Sequence, residues 1–215
     1  MQTSTQIKNS PAPHSCPLLR YTQRIFFICG SLALAYVAFT LIQSSIYQHA
    51  ANQFLNQQVD IAQQIQREQG HAATLSAPAI VPAKISEGDL LGRLEIPRLG
   101  LRVAVLEGTT SHTLRLGAGH IDGTAVPGAP GNIGIAAHRD TFFRSLKDIR
   151  KDDQIQIQTT SGLTVYQVDW TRIVSPADVA VLAPSTQSAL TLVTCYPFYY
   201  VGSAPQRFIV HAHKL

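Results

Sequence analysis

The sequence predicts an all-β fold: a closed or partly closed β-barrel with short helices, preceded by an N-terminal transmembrane helix. Three observations carry this. Residues 88–215 hold seven short runs of apolar and β-branched residues with turn signals between them. Residues 25–42, IFFICGSLALAYVAFTLI, carry no charge. Charged residues make up 14% of the chain, against about 25% in soluble domains, and a membrane segment explains the deficit.

Taken in order, residues 1–24 are polar, and Pro11, Pro13 and Pro17 discourage regular structure, so a short cytoplasmic tail is expected. Residues 25–42 sit at the lower edge of the length a spanning helix needs. A cleavable signal peptide has a shorter apolar core, and no small-x-small cleavage site follows residue 42, so the run reads as an uncleaved signal anchor. Lys8, Arg20 and Arg24 precede the run, and the first charge after it is Asp60. The positive-inside rule then leaves the N-terminus in the cytoplasm and everything beyond residue 42 outside. Residues 43–87 are expected as stalk and linker. Up to residue 69 this stretch is Gln-rich and lacks Gly and Pro, which suits a polar helix with Ile46, Ala50, Phe54, Ile61 and Ile65 as a weak apolar stripe. Residues 70–87, with Pro78 and Pro82, suit a linker.

Residues 88–215 form the expected catalytic domain. Strands are predicted at 91–96, 102–106, 133–137, 154–158, 164–174, 190–194 and 208–210. Pro97, Gly108, Pro127-Gly128, Pro130-Gly131, Asp152-Asp153, Ser161-Gly162 and Pro176 punctuate them. Gln154-Ile155-Gln156-Ile157-Gln158 alternates as a strand with one wet face does. Short helical turns are expected at 111–116 and 142–146. The region carries twelve basic and ten acidic side chains without a basic run, which argues against nucleic-acid binding.

The cysteines are Cys16, Cys29 and Cys195. On the topology above, only Cys195 is exported, so no intramolecular disulfide is open to it and a reactive thiol is expected. It follows the run Leu190-Thr191-Leu192-Val193-Thr194, and Tyr196-Pro197 follows it. A thiol at a strand's exit is held rigidly and still meets substrate. The run Ile133-Gly134-Ile135-Ala136-Ala137 ends in the same way, on His138. Arg207 opens the run Phe208-Ile209-Val210, and pairing of the last two strands brings it near the thiol. A thiolate attacks acyl carbons with a base to activate it and later protonate a departing amine. A guanidinium in a water-poor groove stabilises the oxyanion. Cys195, His138 and Arg207 therefore support cysteine-dependent acyl transfer. Asp140, two residues on from His138, reads as a surface turn residue.

The stretch Thr191-Leu192-Val193-Thr194-Cys195 resembles the sortase signature Thr-Leu-x-Thr-Cys. Gly131-Asn132 with Ala137-His138-Arg139-Asp140-Thr141-Phe142-Phe143 resembles the sortase histidine segment, and Ala204-Pro205-Gln206-Arg207-Phe208-Ile209-Val210 its arginine strand. Gly88-Asp89 to Ile96-Pro97 and Gly117-Ala118-Gly119-His120 through Pro127-Gly128 match as well. The likeness covers about residues 88–215. It is greatest to class D sortases, given Cys195-Tyr196-Pro197-Phe198 and the N-terminal anchor. Ala137 departs from the Gly that many relatives have before the histidine.

The resemblance implies a sortase β-barrel in which Cys195 is the nucleophile, His138 the acid/base and Arg207 the oxyanion or substrate-binding group. It implies a membrane-anchored transpeptidase that cleaves a Leu-Pro-x-Thr-Gly-like sorting signal through a thioester. The acyl group passes to an amine on the cell wall or another surface protein, and no cofactor is implied. Thr194 is expected either to hydrogen-bond beside the substrate or to pack in the barrel. His120 either lines the groove or occupies a turn. Rival readings are an enzyme of the same fold that mainly hydrolyses, a catalytically silent scaffold or binding module, and a single-thiol redox sensor. His211-Ala212-His213 has a metal-compatible spacing but no evident third ligand. Trp170, Tyr166 and Phe208 read as core, and Tyr196, Phe198, Tyr199 and Tyr200 as groove-shaping or packing residues.

Overall fold

The computed structural model describes residues 17–69 and 85–215. The expected tail up to residue 16 and the linker at 70–84 lie outside the described residues. The chain divides into two compact units, Met1–Ile42 and Gln43–Leu215. Helix α1 is Pro17–Gln69. In the first unit, Phe26, Leu32, Leu34, Tyr36 and Phe39 of this helix are all more than half exposed. An 18-residue window averages a hydropathy of 2.3, with none of it buried. By length and composition this helix can cross a bilayer, where such side chains meet lipid instead of water.

In the second unit the chain forms β1 (Leu90–Ile96), β2 (Leu101–Glu107), helix α2 (Ser111–Leu116), β3 (Ala118–His120), β4 (Asn132–Ala136), β5 (Gln154–Thr159), β6 (Gly162–Val174), β7 (Ala189–Tyr196) and β8 (Gln206–Lys214). The strands close into a barrel in the order β1–β2–β3–β4–β7–β8–β6–β5. Closure leaves no free sheet edge. Pairs β2/β3 and β4/β7 are parallel and the others antiparallel. The alternation read in β5 is the barrel's own: Ile155 and Ile157 are buried, and Gln154 between turn and strand is exposed. Leu94, Ile96, Val103, Val105, Ile133, Ile135, Leu190, Leu192 and Val210 meet them in one core, with Phe143 and Leu146 from the turn after β4.

Several bounds move. Strand β3 was not expected, because its three residues have a glycine in the middle and carry no periodicity. Gly119 is required there: a Cβ would lie 2.3 Å from the Gly108 carbonyl oxygen. Strand β8 runs on to Lys214 instead of ending at residue 210, since His211 and His213 occupy its wetter positions while Ala212 is buried. Strand β7 runs through Cys195 to Tyr196 and stops before Pro197. The expected short helices appear as α2, whose N-cap Thr110 accepts from Thr113 N at 3.3 Å, and as a tight helical turn at Arg144–Asp148.

The apolar stripe read in residues 43–69 is not the covered face. Ile46, Phe54 and Ile61 are exposed, whereas Ala51 and Leu55 are buried. Gln48, one turn earlier on the covered face, accepts from Ala104 N at 2.9 Å and donates to Leu116 O. Asn56 accepts from Arg93 at 2.9 Å. This part of α1 is therefore docked on the barrel by the bonds of Gln48 to backbone and of Asn56 to Arg93, which hydrophobic periodicity does not register.

Candidate active site

Strands β7 and β8 pair antiparallel with Cys195 opposite Arg207. The expectation that these strands bring guanidinium and thiol together is thus met at the level of register. Strand β4 runs parallel to β7, with Ala136 opposite Val193. The ladder continues one step beyond β4, where Ala137 N donates to Val193 O at 3.2 Å. Thr194 Oγ1 donates to Ala137 O at 2.7 Å. Carried one residue further, this register sets His138 beside Cys195. His138, Cys195 and Arg207 line one groove of about 350 Å³, together with Arg139, Asp140, Gly202, Ser203 and Ala204. Cys195 is half-buried and His138 exposed at its rim, so the thiol is sheltered but reachable.

Arg207 is held by its own strand's approach: Nη1 donates to Gln206 O at 3.0 Å and Ala204 O at 3.3 Å. The loop of residues 197–205 between β7 and β8 also closes on Arg139. Arg139 Nη2 donates to Tyr200 O at 2.7 Å and Gly202 O at 3.1 Å, and its guanidinium lies 5.8 Å from the centre of the Tyr200 ring. Sequence reasoning gave Arg139 no role. A charge after a histidine reads as a solvated surface residue, and its partners are backbone carbonyls that no motif marks.

Thr194 is 2% exposed and spends its hydroxyl on Ala137 O. Of the two readings of this residue, the geometry gives the packed one, with an added function: it ties the residue before His138 to the residue before Cys195. His120 does not line the groove. It is 2% exposed. Its Nδ1 faces Glu107 Oε2 at 2.9 Å, and Nε2 faces Ala125 O and Thr124 Oγ1, each at 3.0 Å. Nδ1 is spent on the end of β2 and Nε2 on the turn after β3. The buried pair Asn132 and Thr191, 2.8 Å apart, was also missed; Asn132 donates to Val181 O and Ala183 O and so anchors the β6–β7 connection.

At the end of β7 and the start of β8, Tyr196, Phe198 and Phe208 form an aromatic cluster with ring centres 5.3–6.4 Å apart. With Tyr199, Tyr200, Ile173 and Lys147 they wall a second groove of about 490 Å³ next to the thiol's strand. Tyr166 is core at 2% exposure. Trp170 instead stacks on His211 on the outer face, 4.8 Å between ring centres. His211 and His213 both direct Nδ1 at Asp169, at 3.0 and 2.6 Å.

The sortase domain profile matches residues 94–215. The chain is 31% identical to Sortase D of Bacillus subtilis (strain 168) over 194 residues, spanning 89% of this chain and 96% of that one. It is 26% identical to Sortase A of Bacillus anthracis over 120 residues, about half of each chain. Among solved structures, a Clostridium perfringens Sortase D5 transpeptidase superposes with a TM-score of 0.61 at 24% identity, covering 80% of this chain and 98% of the other. Sortase C1 from Streptococcus suis gives 0.56 at 25% identity, over 60% and 74%. The structural likeness speaks for the barrel and the two sequence matches for descent, and on them this chain belongs to the sortase family of cysteine transpeptidases.

Proposed function

We propose that this protein is a membrane-anchored sortase that cleaves a Leu-Pro-x-Thr-Gly-like sorting signal and transfers the acyl part to an amine. The observation that carries the reading is the cross-strand pairing of Cys195 with Arg207 in a groove that His138 also lines. In this mechanism the Cys195 thiolate adds to the scissile carbonyl, and Arg207 stabilises the oxyanion that forms. His138 protonates the departing amine, leaving a thioester on Cys195. An incoming amine then gives its proton to His138 and takes the acyl group. The fixed guanidinium fork of Arg207 suits a charge that develops only in the transition state.

The donors are surface proteins carrying a C-terminal sorting signal, and the acceptor is an amine on the cell wall or on another surface protein. Residues 1–24 form the cytoplasmic tail, 25–42 the signal anchor, 43–87 the segment between membrane and barrel, and 88–215 the extracytoplasmic catalytic domain. The apolar helix with no buried residue in its spanning window supports the anchor, and the basic residues before it support the orientation. The test is ligation: full-length protein in detergent with a library of Leu-Pro-x-Thr-like peptides, with and without added amine, read by chromatography and mass spectrometry. Amine-dependent ligated product is expected and names the motif. Free acid alone at every amine concentration would make the enzyme a hydrolase.

A further inference from the structure

Arg139 uses only part of its guanidinium on the protein. Nη2 holds the β7–β8 loop through Tyr200 O and Gly202 O. Nη1 is buried with no hydrogen-bond partner among the described residues. A buried N–H of a charged group without an acceptor is costly, and Arg139 lines the same groove as Cys195, His138 and Arg207. We propose that Arg139 is a substrate-binding residue, whose Nη1 donates to a backbone carbonyl of the peptide acyl donor while Nη2 holds the loop that walls the groove. This rests on the peptide-acylation reading above and deepens it.

The acceptor is a carbonyl because the acyl donor is a peptide, whose backbone offers one at every residue, and the groove holds Asp140 as well as Arg139 and Arg207. The division of labour also follows from the fork. A guanidinium holds its donors in one plane at fixed angles, so anchoring Nη2 to two carbonyls aims Nη1 without further side-chain cost. The loop bond and the substrate bond are therefore coupled: peptide that engages Nη1 meets a loop already in place. Lysine at this position offers a point charge and cannot serve both.

The experiment uses full-length protein in detergent and peptides in which one backbone amide at a time is replaced by an ester, which weakens that carbonyl as acceptor. At one position, wild type is expected to lose about tenfold in kcat/KM, mainly through KM, as for a hydrogen bond to a charged donor. Arg139→Met and Arg139→Lys should show a similar loss on the all-amide peptide and no further loss on that ester. Alkylation of Cys195 by iodoacetamide, which needs no peptide contact, should stay close to the wild-type rate in both variants. Losses that simply add at every position, or alkylation that falls in step with turnover, would reduce Arg139 to a structural tie and overturn the proposal. Wild type that turns over normally under such additivity removes this inference alone; wild type that no peptide acylates removes the parent reading with it.

Discussion

Thr194 joins the two strands that meet at the thiol. Its hydroxyl is a buried donor to Ala137 O, so Thr194→Val, which keeps the shape, strands a buried acceptor. We expect a loss of about 1–2 kcal/mol in urea unfolding, and a fall in turnover because His138 loses its register to Cys195. His120 is held from both sides by Glu107, Ala125 and Thr124. His120→Phe should cost about 1–3 kcal/mol by leaving those groups unpaired, with peptide KM nearly unchanged. A large rise in KM without loss of stability would return His120 to the groove. For Arg207 the proposed role predicts that Arg207→Lys loses most of kcat, since a point charge does not reproduce the fork; near wild-type turnover would contradict it. At this scale Cys195 and His138 stand out in the sequence because each follows an apolar run, and Arg207 because it opens one. The partners of the supporting ones do not: Thr194, His120 and Arg139 act through backbone carbonyls or buried groups that only the folded chain brings near.

Elements were legible where side-chain periodicity is strong. The alternating isoleucines of β5 and the apolar run of β7 stand in their expected places. Short β3 was missed because Gly119 is chosen for close backbone approach, not for strand preference. The docked face of α1 was missed because its anchor is an amide: Gln48 supplies both a donor and an acceptor to the barrel backbone. Leu55, 2% exposed, fills the face seven residues on. Leu55→Ala should therefore cost about 2 kcal/mol or more by transfer and cavity terms, read as a lower thermal midpoint. The exposed Phe54 provides the control, since Phe54→Ala removes a side chain that is 54% exposed. Equal effects from the two would mean that α1 is not docked in solution.

At the scale of the whole molecule, the barrel class followed from many short strands with turns between them, but its strand order did not. The parallel pairs β2/β3 and β4/β7 depend on connections whose path no local pattern states. One long-range clamp gives the barrel a pH signature. Arg98 hydrogen-bonds Asp153 through both carboxylate oxygens, and this bond, with a further one from Arg150 N, holds the carboxyl below its usual range against the opposing effect of burial. The folded state thus keeps Asp153 ionised where the unfolded chain takes up a proton. Its stabilisation is complete above about pH 4, the ordinary carboxylate value, and is lost as pH falls through the folded one. Asp153→Asn should lower the urea midpoint at pH 7, and the gap to wild type should shrink below about pH 4. A gap independent of pH would show that the clamp is not electrostatic. If Cys195 carries the acyl group, the bond shows in the mass of full-length protein quenched in acid during turnover of a sorting-signal peptide. An acyl adduct that maps to Cys195, is released by hydroxylamine and is missing in Cys195→Ala is the expected result. An adduct on another residue, or none while the Cys195 thiol still reacts with small electrophiles, would contradict it.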